Sequence, residues 1–287
     1  GTLDRFELSL SGASATMTQE SFTIGQTDVP GSDKYLKLVV STGNNHSGVY
    51  HKVEAKNAFS IISKKVTLSY YAKGTSPAAG LETGILWYDG SSVSSTSSTA
   101  VTLTSSWTKY IHTFDVPSIS GLTLTNAAAY LEVHWIQSGS DTGTGAYEVN
   151  LAQVQLEAGD TDTPFEHKPI SEELAACQRY FQYVYDSSTS AIAPGRGASG
   201  GDALVVAMPI PVVLRTTPAV ASTGSYYVYD PNSRNNATPT SVTVSNYPTN
   251  GSLISLYFAF SGVVCDDDRV LLIASQGTTT LTLDAEL

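Results

Sequence analysis

Between residues 66 and 73 the chain alternates without a break, with Val66, Leu68, Tyr70 and Ala72 set against Thr67, Ser69, Tyr71 and Lys73. A period of two describes a strand with one face buried and one wet, and it cannot be seated as a helix. Similar short patterns, punctuated by turn residues, recur at 16–24, 35–40, 48–53, 84–88, 107–116, 129–137 and 147–156. A succession of antiparallel strands of this length predicts two sheets packed face to face as a jelly roll. In the strand at 129–137, Leu131, Val133 and Trp135 share the core parity and Tyr130, Glu132 and His134 the other. At 147–156 the apolar positions switch from odd to even, which requires an extra residue and predicts a β-bulge near Leu151 and Ala152. The Ser/Thr-rich stretch 91–99 reads as a surface loop.

One helix is expected, starting with Ser171 as N-cap and with Glu172 and Glu173 in the first turn, where the helix dipole favours acids. Leu174, Cys177 and Phe181 would form its apolar stripe. Strand chemistry resumes after it. Residues 187–201 read as a small-residue loop, and 203–214 as an apolar strand that Pro209 and Pro211 confine to an edge or a bulge. Further strands are expected at 226–229, 241–245, 252–261, 270–274 and 279–283. The predicted fold is all-β: a jelly-roll sandwich over 1–160, a linker with a short helix over 161–185, and a C-terminal β-sandwich domain over 186–287.

Charged residues are only 14% of the chain, and Ser, Thr, Gly and Asn fill the surface instead. The net charge of −11 excludes a phosphate-binding surface, which needs clustered Lys and Arg; the densest cationic stretch is Lys64 with Lys65. No apolar run reaches the ~20 residues of a membrane-spanning helix. The two cysteines, Cys177 and Cys265, show no disulfide framework and are expected as thiols. The five histidines lack metal-ligand spacing, and no Gly-x-Ser-x-Gly elbow is present. Asp266, Asp267 and Asp268 form the one acidic run, read as a solvated turn rather than a hydrolytic carboxylate pair. The start at Arg5 to Leu10, in mid-strand and without an initiator Met, reads as a piece of a longer protein.

Two blocks carry a family resemblance. The run from Leu151 to Gly159, then Thr163, Pro164, Phe165 and Glu166, then Glu172 to Phe181, resembles a stretch of bacteriophage tail-fibre and head-fibre proteins. Phe22 to Gln26, Tyr35 to Val40, Val66 to Lys73 and Trp107 to Tyr110 resemble their upstream part. The resemblance implies a carbohydrate-binding-module-like jelly roll, a short helix and a variable C-terminal β domain. It also implies a homotrimer on the virion surface, joined to other virion proteins by an upstream segment. Fibre proteins can carry depolymerase activity, but a non-enzymatic chain is expected here, because the sequence offers no hydrolytic carboxylate pair and no coil-repeat periodicity. Its jelly roll implies a structural calcium where first and last strands meet, at Asp4 and Glu157; no other cofactor is called for.

Sugars are recognised by aromatic planes beside hydrogen-bonding groups. Two candidate surfaces follow for a bacterial surface glycan. The first is a sheet cluster of Tyr71, His112, Glu132 and His134, for which the bland alternative is ordinary solvent-facing residues. The second is a C-terminal tip of Tyr226, Tyr227 and Tyr229 with Asn232 and Arg234 in the following loop, in the manner of adaptable tyrosine-rich paratopes. The competing functions are a structural fibre that binds no glycan and a polysaccharide depolymerase.

Overall fold

The computed structural model describes residues 2–3, 6–42, 46–77, 80–137, 145–188, 191–198, 200–229, 234–247, 253–262 and 270–286. The chain folds as two units that divide between His167 and Lys168. The first contains β1 (Thr2–Leu3), β2 (Phe6–Ser11), β3 (Ser14–Ser21), β4 (Lys34–Thr42), β5 (His46–Glu54), a short helix α1 (Ala55–Ala58), β6 (Lys65–Thr75), β7 (Leu81–Tyr88), β8 (Ser97–Val101), β9 (Thr108–Asp115), β10 (Tyr130–Gln137) and β11 (Tyr147–Ala158). They form two antiparallel sheets: sheet A in the order β1-β2-β5-β10-β7-β8, and sheet B in the order β3-β4-β11-β6-β9. The non-sequential order is what a jelly-roll sandwich requires.

Alternation places the core as expected. Leu131, Val133 and Trp135 of sheet A face Leu68, Tyr70 and Ala72 of sheet B, all buried. Trp135 meets the Tyr70 ring edge-on at 5.3 Å, a favoured aromatic geometry that locks one sheet on the other. The bulge lies between Ala152 and Gln155, one or two residues beyond the expected place, and Gln153 takes φ 48° there. The stretch 91–99 is not all loop: from Ser97 the chain pairs with β7 as β8, because Ser97, Thr99 and Val101 fall opposite Ile85, Thr83 and Leu81.

Buried Asp89 ties two connections together. Its carboxylate accepts the amides of Ser91 (2.9 Å), Ser92 (2.7 Å) and Thr123 (3.0 Å) and the Ser91 hydroxyl. These donors, Thr123 foremost, hold its pKa well below the usual carboxylate range. A carboxyl depressed in the native state stabilises the fold above its unfolded pKa; the contribution is lost as pH falls through the native value. The latch is therefore intact at neutral pH and fails in strong acid.

Residues after β11 do not leave the first unit as a free linker. Gly159 takes the Thr67 hydroxyl on its carbonyl (2.9 Å), and Asp162 pairs with Lys109 (2.7 Å). Thr163 donates its amide to Glu157 (3.1 Å), and Glu166 donates its amide to Gln155 (2.9 Å). The segment is a strap on the outer face of sheet B, and it explains why Thr67 and Ser69, on the wet parity of β6, are buried.

The second unit begins with helix α2 (Ile170–Gln178), followed by β12 (Phe181–Ser188), β13 (Ala191–Gly197), β14 (Ala203–Pro209), β15 (Ala219–Tyr229), β16 (Arg234–Ala237), β17 (Pro239–Asn246), β18 (Leu253–Phe260) and β19 (Val270–Asp284). Pro169, not Ser171, occupies the N-cap: its carbonyl receives the Glu172 and Glu173 amides (3.0 and 3.1 Å). Phe181 belongs to β12, so the predicted stripe is cut short, and Ile170 and Leu174 are exposed. The strands form one eight-stranded antiparallel sheet, β16-β15-β19-β13-β14-β18-β17 with β12 also on β19, and it curls until β15 meets β17 around a single core. Leu204, Val206, Tyr226, Phe258, Ile273 and Leu281 fill that core.

Two sequence expectations are corrected here. Most of 187–201 is strand, because β12 and β13 pair with successive halves of β19. The proline-containing β14 is interior, between β13 and β18; Pro209 is tolerated as its last residue and Pro211 lies beyond it. Cys177 is half-buried near the end of α2, while Cys265 and the run Asp266 to Asp268 lie outside the described residues.

Candidate functional site on sheet A

The face of sheet A turned away from the core is built by register. Pairing sets Tyr130 between Glu54 and Tyr88, Glu132 between Lys52 and Leu86, and His134 between Tyr50 and Gly84; Glu7 pairs with Tyr50. An outward sheet face normally leaves charged side chains in water. Here Lys52 is 8% exposed, Glu54 5% and His134 1%. A lysine and a glutamate that deep are retained as charges only when paired, and they are. Lys52 Nζ lies 2.9 and 3.0 Å from the two Glu7 oxygens, and Tyr50 donates its hydroxyl to Glu7 at 2.8 Å. The same ammonium stands 5.3 Å from the Tyr50 ring centroid and 5.0 Å from that of Tyr130.

Tyr130 and Tyr88 lie side by side across β10 and β7, centroids 5.0 Å apart. Burial raises the phenol pKa of Tyr130, and the negative field of Glu132, the neighbouring Tyr88 and Glu7 adds to it. Tyr50 is raised by burial and by its bond to Glu7. Glu132 and His134, two apart on one strand face, meet at 3.0 Å through Nδ1. The other imidazole nitrogen, Nε2, is buried without a hydrogen-bond partner. Gly84 makes room for it: a Cβ there would stand 2.8 Å from Nε2. The result is a partly enclosed surface of tyrosine rings and carboxylates, suited to polyhydroxylated ligands.

The four-residue sheet cluster expected from sequence does not assemble. Only Glu132 and His134 come together. Tyr71 is on the outer face of sheet B, between Ala152 and Lys109. His112 points to the core side of sheet B, where its Nε2 lies 3.2 Å from the Tyr70 hydroxyl and burial lowers its pKa. The signal was present: His112 shares parity with Tyr110 and Phe114. Nothing local in the sequence signals Glu7, Tyr50, Lys52 and Tyr88, because their meeting depends on cross-strand register.

The C-terminal tip is also divided. Tyr226 is fully buried, edge-on to Phe258 at 5.6 Å. Tyr227 and Tyr229 share the opposite face of β15, their rings 5.9 Å apart. Arg234 pairs with Tyr229 through the β16 backbone, and Asn232 lies outside the described residues. Of the expected calcium ligands, Asp4 is outside the described residues, and Glu157 accepts the amide and hydroxyl of Thr163. Among the described residues no three acidic, His or Cys side chains cluster as a metal site.

No family model matches the chain, and no curated protein matches it. Among solved structures it is similar to the family 11 carbohydrate-binding module from Clostridium thermocellum in complex with a β-1,3-1,4-mixed-linked tetrasaccharide (13% identity, 57% of this chain and 93% of that one, TM-score 0.36). It is also similar to the CBM22-1 xylan-binding domain from Paenibacillus barcinonensis Xyn10C (17%, 56% and 90%, TM-score 0.32) and to the N-terminal cellulose-binding domain of a Cellulomonas fimi β-1,4-glucanase (18%, 51% and 90%, TM-score 0.31). At these scores the likeness carries no argument about a ligand; the sandwich stands on the registers given above.

Proposed function

We propose that this protein is a non-catalytic glycan-binding protein whose sugar lies on the outer face of sheet A. The observation that carries the reading is the pair of half-buried tyrosine rings, Tyr130 and Tyr88, centroids 5.0 Å apart and with Tyr130 two residues from Glu132, on a face turned away from the sandwich core. Tyr130 and Tyr88 supply the planes on which a pyranose stacks, and Glu132 accepts its hydroxyls.

The test is retention of the full chain on purified bacterial surface polysaccharides, with polymer length followed over time. Binding without shortening is expected, and Tyr130→Ala should weaken it at least about tenfold under conditions where tryptophan fluorescence shows the variant fully folded. Shortening of the polymer would overturn the non-catalytic reading.

The resemblance of the 151–181 region to phage fibres supports the finer proposal that the module acts on a virion surface in host adsorption, as a homotrimer whose avidity multiplies weak sites. Sedimentation should then give about three times the 30.3 kDa chain mass; a particle of single-chain mass would remove the trimer.

A further inference from the structure

The charge on the sheet A face specifies which sugars it takes, given that the face is the glycan site. Among the described residues the face carries four carboxylates, Glu7, Glu54, Glu82 and Glu132, against the one ammonium of Lys52. That ammonium is held by Glu7 on both oxygens, so it offers an acidic sugar little. Glu54 is paired with Lys56 at 3.1 Å, off the sheet. Glu132 receives one bond, from His134 onto Oε1. It stands two residues along β10 from Tyr130, whose ring is flanked by Tyr88.

The face already shows how it holds a cation. Lys52 Nζ sits between two tyrosine rings and a carboxylate, largely withdrawn from water. The Tyr130 ring that flanks Lys52 meets Tyr88 on its other side, and Glu132, across from Lys52 in register, is held by His134 and not by Lys52, so ring and carboxylate continue along the sheet beyond the lysine. Carboxylate and ring quadrupole both favour an ammonium, and both disfavour a uronate or phosphate brought into the same partly desolvated place.

We propose that this face selects glycans bearing free amino groups, such as partly de-N-acetylated hexosamine polymers, with Glu132 as the ammonium acceptor and the Tyr130 and Tyr88 rings beside it. Neutral hexosamines bind through the same rings but lack the charge-assisted bond. Acidic polymers are repelled.

The experiment is calorimetric titration of the full chain with oligomers of glucosamine, N-acetylglucosamine and galacturonate, at a mildly acidic pH where the amines are charged. Glucosamine oligomers should bind about tenfold tighter than the N-acetylated ones, the size of one charge-assisted hydrogen bond, and the ratio should shrink as salt is raised. Glu132→Gln should bring the ratio to about one, whereas Glu20→Gln, on sheet B, should leave it unchanged. Equal affinities in the wild type, a ratio that survives Glu132→Gln, or tighter binding of galacturonate would overturn the selectivity. Binding of N-acetylglucosamine oligomers that Tyr130→Ala weakens, but with no amine preference, removes the selectivity and keeps the glycan face. No binding of any oligomer or surface polysaccharide removes both.

Discussion

Tyr226→Ala is expected to cost the second unit about 3–5 kcal/mol, the usual range for deleting a fully buried aromatic ring. The ring is 0% exposed and packs edge-on against Phe258, and its hydroxyl reaches Ser222 at 3.3 Å. Chemical denaturation should show the loss, and amide exchange should accelerate across β14, β18 and β19, which build the same core. Tyr227→Ala, one residue along and on the opposite face, should change stability by about 0.5 kcal/mol or less. A cell-attachment assay on a triple tyrosine-to-alanine variant would therefore confuse unfolding with lost recognition. The informative pair at this surface is Tyr227 and Tyr229 alone. A loss below about 1 kcal/mol for Tyr226→Ala would contradict the core placement.

Lys52→Ala is expected to destabilise the first unit by about 2–3 kcal/mol. Breaking a buried ion pair from one side costs roughly 3–5 kcal/mol, and the 10% and 19% exposure of the two side chains allows some screening. The variant leaves Glu7 with the Tyr50 hydroxyl and no counter-charge, on a face that already holds three other carboxylates. Replacing both charges at once, as Glu7→Gln with Lys52→Met, keeps an acceptor for Tyr50 and should recover more than half of the loss. The cycle of Glu7→Gln, Lys52→Met and the two combined isolates the pair, and Lys52→Met set against Lys52→Ala gives the packing of the lysine stem. All three tryptophans, Trp87, Trp107 and Trp135, lie in the first unit, so their fluorescence reports its unfolding directly. Additive single losses would show that Lys52 and Glu7 do not act as a pair.

The strand faces of the first unit were legible because a period of two is local. Leu131, Val133 and Trp135 announce a core face, and the switch at 151–152 announces a bulge, without knowledge of the partner strand. The same rule held more than was taken from it. Tyr226 alternates with Val228, and His112 with Tyr110 and Phe114, so parity alone puts both inward. Pairing was not legible. Glu7 meets Lys52 only because β2 lies against β5, and Tyr88 meets Tyr130 only because β7 lies against β10; sequence separation hides both. β19 read as two strands because Gly277 interrupts the alternation, yet the chain passes through it at φ 71° and continues its ladder.

The strap also defines what counts as a transferable piece of this protein. The eleven strands of the first unit end at Ala158, but the hydrogen bonds that cover sheet B run on to Glu166. A segment exchanged between proteins at the end of the last strand would carry Lys109, Gln155 and Glu157 away from Asp162, Glu166 and Thr163, and would bare Thr67 and Ser69. A graft that keeps the fold of this unit therefore takes the sandwich with its strap, through His167, and not the sandwich alone.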